Sequence, residues 1–182
     1  IMANFLQIKK QFRKLSMSES CLLIKTIYNF SKETRLLLEG LLLGSDAVAK
    51  EFIQQMERET VGKVYRSGMP DTPNGRTINA IIAHARKSQV NLRTMMELEK
   101  LAYRSFIEFL NEYGGGSESF DWQGCKHLET YLRLANDKNI TSEERDGIFQ
   151  EVKKYLLQKD NMFTDDLDDV YREATGITVN RR

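Results

Sequence analysis

Asn91-Leu92-Arg93-Thr94-Met95-Met96-Glu97-Leu98-Glu99-Lys100-Leu101-Ala102-Tyr103-Arg104-Ser105-Phe106-Ile107-Glu108-Phe109-Leu110-Asn111-Glu112-Tyr113-Gly114 is the stretch that decides the class of this protein. Leu92, Met95, Met96, Leu98, Leu101, Ala102, Phe106, Phe109 and Leu110 recur at three- and four-residue spacing, the period of a helix buried over a broad face. Asn91 is a favoured N-cap, and Gly114-Gly115-Gly116-Ser117 stops the run. The segment Leu92 to Tyr113 spans about 33 Å at ~1.5 Å per residue.

The same period extends in both directions. Upstream, Phe5, Ile8, Phe12 and Leu15 predict a helix over about 4–15, with Lys9, Lys10, Arg13 and Lys14 on its other side. Ser16 with Glu19 reads as a capping box for a second helix whose apolar side carries Leu23, Ile24, Ile27 and Tyr28, with Phe30 a candidate extension. Ser31 caps a third, which runs through Leu43 to Gly44. Ser45-Asp46 opens a fourth, with Val48, Phe52, Ile53 and Met56 on one face and a continuation expected toward Arg66. Thr77 or a neighbour starts a helix with Ile78, Ile81, Ile82 and Ala85. Downstream, helices are predicted over about 119–135, from Thr141/Ser142 through Leu156, and from Thr164 to the stop at Gly176. Trp122 is expected in the core beside Phe120 and Cys125.

Both prolines of the 182 residues, Pro70 and Pro73, fall in one loop. Elsewhere nothing removes a helical donor or clashes with the preceding turn. Hairpin turns of the β type are missing, so no strand is predicted. The expected fold is all-α: eight or nine helices in antiparallel hairpins, as a bundle or a short solenoid-like array. No tetratricopeptide or ankyrin signature is present. Residues 1–176 are expected to form one helical domain, with candidate lobes 1–67 and 77–176 joined by the loop 68–76. Residues 177–182 are expected to fray.

Apolar residues make up 41% and charged residues 29%, which suits a globular chain and excludes disorder. The net charge of +1 conceals a division. Residues 1–93 carry 15 Lys+Arg against 8 Asp+Glu, or +7; residues 94–182 carry 12 against 18, or −6. Such a split fits either a basic face for nucleic acid or two halves that neutralise each other. Cys21 and Cys125 are far apart and form neither a disulfide framework nor a CxxC pair, so a reducing, cytoplasmic compartment is expected. No apolar run reaches the ~18 residues of a membrane span, and no membrane partner is expected. The start, Ile1-Met2-Ala3-Asn4, lacks the charged-then-apolar pattern of a secretory leader.

Chemistry finds little support in the residue pattern. Asp160, Asp165, Asp166, Asp168 and Asp169 cluster near a helix start, where the macrodipole favours carboxylates, and the glycine turn of a calcium loop is missing. His84 and His127 lack a local partner histidine or ExxH pair. Helical nucleotide pyrophosphatases carry Glu-Glu-x-x-Glu, which is missing. Helical nucleases of the higher-eukaryote-and-prokaryote nucleotide-binding class place His four to six residues after Arg, a spacing that Arg76 and His84 exceed. The triple glycine lacks the lysine and the preceding strand of a phosphate loop. No cofactor and no metal are expected.

The segment 58–93 is the strongest functional candidate. Arg58, Lys63, Arg66, Arg76, Arg86, Lys87 and Arg93 outnumber Glu59 and Asp71 there. Asn74-Gly75-Arg76-Thr77 sets backbone donors and an arginine at a helix start, a geometry that suits an anion. Arg66, Arg76, Arg86, Lys87 and Arg93 are therefore the candidate anion- or partner-binding residues. A solvated turn whose charges answer the acidic half accounts for the same pattern.

Phe106-Ile107-Glu108-Phe109-Leu110-Asn111-Glu112-Tyr113-Gly114, Phe120-Asp121-Trp122 and Asp166-Leu167-Asp168-Asp169-Val170-Tyr171, together with the capped N-terminal helical pair, resemble a bacterial family of uncharacterised all-helical proteins. The resemblance implies a helical fold and a bacterial cytosolic setting, and transfers no functional residue. The expected function is a non-enzymatic helical protein-interaction module that binds another protein or itself. The alternatives are an electrostatic nucleic-acid binder using 58–93, and a small-molecule-responsive or enzymatic helical bundle.

Overall fold

A computed structural model describes residues 4–60, 72–114, 119–161 and 163–181. Among these residues it is all-helical, with no strand. The helices are α1 (Phe5–Phe12), α2 (Met17–Tyr28), α3 (Lys32–Leu43), α4 (Asp46–Thr60), α5 (Gly75–Lys87), α6 (Leu92–Tyr113), α7 (Ser119–Ala135), α8 (Ser142–Leu156) and α9 (Thr164–Thr175).

Local chemistry sets most of the starts. The side chains of Asn4, Ser16, Ser31, Asn74, Asn91 and Thr141 each accept from a backbone N–H in the first turn. Asn4 with Gln7 and Ser16 with Glu19 close reciprocal capping boxes. Three boundaries differ from expectation. α1 stops at Phe12, with Arg13 as its C-cap. α5 begins before Thr77, because Asn74 supplies the cap. Thr164 does not cap α9; its hydroxyl donates to the Asn161 carbonyl at 2.6 Å and accepts from the Asn161 N–H at 2.9 Å. The expected extension of α4 toward Arg66 lies outside the described residues.

Two apolar clusters form the interior, and α6 belongs to both. Its Leu98, Ala102 and Phe106 pack with Phe52, Met56 and Ile78 of α4 and α5. Its Tyr103 and Ile107 pack with Leu128 and Leu132 of α7, Tyr155 of α8 and Tyr171 of α9. The first cluster also holds Leu36 of α3, so it joins elements from both candidate lobes across the proline loop. Side-chain pairs tie α6 to α8 in parallel: Arg93 to Glu144, then Lys100 and Arg104 to Glu151 at 2.8 and 2.9 Å. Beyond α8 the line continues with Lys159 to Glu108 at 2.6 Å.

Gly40 marks a close approach between α3 and the end of α5. A Cβ there would lie 2.3 Å from the Ser88 carbonyl oxygen, so only glycine lets α3 meet the end of α5.

The segment after α9 is anchored where fraying was expected. Val179 is buried in the second cluster. Arg181 binds both carboxylate oxygens of Asp168, at 2.6 and 2.8 Å, and donates to the Lys159 carbonyl at 2.6 Å.

Trp122 also departs from expectation. It is 57% exposed, with Lys126 Nζ 4.8 Å from its ring centroid. The buried positions of α7 are Phe120, Gly124, His127, Leu128, Tyr131, Leu132 and Ala135. Trp122 lies two residues from both Phe120 and Gly124, about 200° around the helix from each, on the opposite face.

Candidate interaction surfaces

The first two helices have the patterning of packed elements but bury nothing. No described residue of α1 or α2 is buried. On α1, Phe5, Ile8 and Phe12 form an apolar stripe, with Lys9 to one side and Lys10 opposite. Phe5 is 75% exposed and Phe12 47%. On α2 and the turn that follows, Met17, Leu22 and Phe30 are equally open. Leu41, Leu42 and Leu43 extend the same character along the end of α3. Between α1 and α2 runs a groove of about 510 Å³, lined by Gln7, Ile8, Gln11, Phe12, Leu15 and Leu23. The arm is held to the body through α3: Tyr28 donates to Glu39 at 2.7 Å, and Lys32 pairs with Glu51 of α4.

This surface was missed in the candidate site residues, although the sequence carries its signal. Leu6 and Leu22 fall outside the 3.6-residue stripes of their helices, and Phe30 follows the end of α2, so one packed face cannot cover them. Short connections were expected to pack these helices as antiparallel neighbours. The eight residues of α1 extend only about 12 Å, and among the described residues nothing buries their stripe.

The basic segment is distributed rather than gathered. Arg76 is exposed in the first turn of α5, and Arg86 and Lys87 are exposed in its last turn. Arg76 and Lys87 are about 16 Å apart along the helix axis. Lys87 lines a cleft of about 190 Å³ between α3 and α5, with Glu33, Thr34, Leu37, His84 and Ser88. The Glu33 carboxyl there is held below its usual range by its own backbone N–H, then by the Ser31 hydroxyl, with a smaller contribution from His84. Arg93 forms a two-pronged pair with Glu144, whose second contact is 3.1 Å, and so joins the basic segment to the acidic half. At the start of α5, the Thr77 N–H already donates to Asn74 Oδ1 at 3.1 Å. Arg66 lies outside the described residues.

Several of the remaining chemical candidates are engaged by structural partners. Asp168 binds Arg181, and Asp169 binds Arg172 at 2.7 Å. No group of three metal-ligating side chains converges among the described residues. His127 is buried against Glu99. Cys21 is exposed, whereas burial pushes the Cys125 thiol up to about 12, with Asp166 and Asp121 adding to the shift. A thiol so raised carries little thiolate at neutral pH. Among the described residues, no helix is long and apolar enough to cross a membrane.

Compared with known proteins, the chain matches no family, no characterised protein and no solved structure.

Proposed function

We propose that this chain is a non-enzymatic helical protein-interaction module whose docking surface is the arm formed by α1, α2 and the end of α3. The observation that carries this reading is the set of fourteen large apolar side chains between Phe5 and Leu43 that are each more than a third exposed. Water opposes such a surface by roughly 25 cal/mol per Å² of apolar area, and a macromolecular partner removes it. The rest of the described chain, by contrast, packs around two apolar clusters with ion pairs along its surface, as suits a scaffold that presents the arm. The free thiols of Cys21 and Cys125 support a reducing, cytoplasmic setting. The test is association measured by light scattering and by a binding titration, for the native chain and for Phe5→Glu/Phe12→Glu. Loss of association in the variant supports the reading; equal association overturns it.

The second reading, electrostatic nucleic-acid binding, draws on the exposure of Arg76, Arg86 and Lys87. If each of Arg76 and Arg86 neutralises one phosphate, replacing both flattens the log–log salt slope of binding by roughly two units. Little binding is expected near physiological salt, because three of the five candidate cations sit on one short helix and Arg93 is engaged with Glu144. Micromolar binding there, lost on the double replacement, would reverse the ranking.

A further inference from the structure

The apolar surface of the arm has more than one side. Ile8, Phe12, Leu15 and Leu23 face the groove between α1 and α2. Leu6, Met17, Leu22 and Phe30 are exposed and do not line it. Filling the groove requires an occupant that inserts between α1 and α2, which a flat surface does not do.

From Phe5 to Leu43, fourteen large apolar side chains are each more than a third exposed. At the ~150–250 Å² that one aromatic side chain carries, they present on the order of 1,000 Å². The sum runs over more than one side of the arm; the largest single patch on a typical monomer is ~300–600 Å². The sum is at or above the ~800 Å² that each partner gives to a stable interface.

We infer that the occupant is a second copy of this chain, with α1 of each copy seated in the α1–α2 groove of the other. This inference rests on the interaction reading above. The arm offers both halves of such a contact: a groove lined by Ile8, Phe12, Leu15 and Leu23 with Gln7 and Gln11, and a short helix with an exposed stripe of Phe5, Ile8 and Phe12. One two-fold operation then fills both grooves and closes the assembly.

Charge fixes the direction of the crossing. Lys9, Lys10, Arg13 and Lys14 crowd the C-terminal end of α1, and no acid precedes Glu19 among the described residues. An antiparallel crossing sets those cations beside the uncharged Asn4–Ile8 end of the other copy, at the solvent rim. A parallel crossing would set the two cationic C-terminal ends side by side.

The test is sedimentation and light scattering across micromolar concentrations, at low and high salt. The native chain is expected at twice the 21.1 kDa chain mass. Raised salt is expected to leave the dimer unchanged or to strengthen it, because it screens like charges. Ile8→Glu/Phe12→Glu is expected to be monomeric with an unchanged helical spectrum, since neither side chain is buried. Trp122→Glu, exposed on the far side of α7, is expected to remain dimeric.

A dimer that survives the double replacement overturns the proposal. So does a native monomer, and two probes then separate its causes. Binding of an acidic amphipathic helical peptide, lost in the double variant, overturns the second copy and leaves the interaction reading standing. Binding instead to phosphatidylserine-containing vesicles, weakened by salt, overturns both, as does binding to neither probe.

Discussion

His127 Nδ1 lies 2.6 Å from Glu99 Oε2 in the interior, where the two side chains are 3% and 2% exposed. The Phe106 ring stacks parallel to the imidazole at 6.1 Å, and the far nitrogen, Nε2, is buried without a protein hydrogen-bond partner. The pair joins α6 to α7 at the centre of the chain. Removing one member leaves the other buried without its hydrogen-bond partner, at a cost of roughly 1–3 kcal/mol. Glu99→Ala and His127→Ala are each expected to be strongly destabilised in urea. Glu99→Leu/His127→Phe is expected to recover most of the loss, because an apolar pair of similar volume needs no partner. Additive losses in the double variant would show that the two groups do not act as a pair.

Gly40 and Gly147 are expected to respond in opposite directions to alanine. At Gly40 the new Cβ meets the Ser88 carbonyl oxygen at 2.3 Å, and backbone must shift, at a cost of about 1–3 kcal/mol. At Gly147, exposed within α8, the Cβ meets nothing within 4 Å. Alanine there is expected to stabilise by up to ~1 kcal/mol through helix propensity. Thermal melts of the two variants check both signs.

Trp122→Ala is expected to cost under ~1 kcal/mol, the scale of an exposed cation–π contact with Lys126. A buried tryptophan would cost roughly 3–5 kcal/mol. Because Trp122 is the single tryptophan, native fluorescence reports on it alone. Emission near that of the unfolded chain and ready quenching by iodide are expected; a blue-shifted, protected signal would place the residue inside.

Acid is expected to loosen the seam between α6 and α8. Lys100, then Arg104, holds the Glu151 carboxyl below its usual range, and Arg93 does the same for Glu144. A carboxylate depressed in the fold stabilises it at pH above the group's unfolded value. That contribution is lost as pH falls through the folded value, so stability declines below about pH 4. Glu151→Gln is expected to flatten this decline, as read from urea midpoints between neutral and acid pH. An unchanged profile would remove Glu151 from the acid response.

The chain alone determined what depends on near neighbours. Asn91 and Gly114 bound α6, Ser16 and Glu19 close a box, and the 3.6-residue period marks the helices, because capping and burial stripes are written within a few residues. Asn74 displaced Thr77 as the start of α5 by the same local chemistry, one cap earlier. What escaped is set by partners distant in sequence. Glu99 reads as one more surface carboxylate until α7 brings His127 to it, although it lies one turn from Met95 and close to the buried side of α6. Trp122 reads as core until the register of α7 turns Gly124 and His127 inward instead. Arg93 reads as a free cation until α8 supplies Glu144. The arm shows the converse: its stripes predict burial, but a stripe records only that apolar side chains share a face. Whether another element covers that face depends on the tertiary arrangement, and here α6 draws its neighbours together around itself and leaves α1 and α2 uncovered.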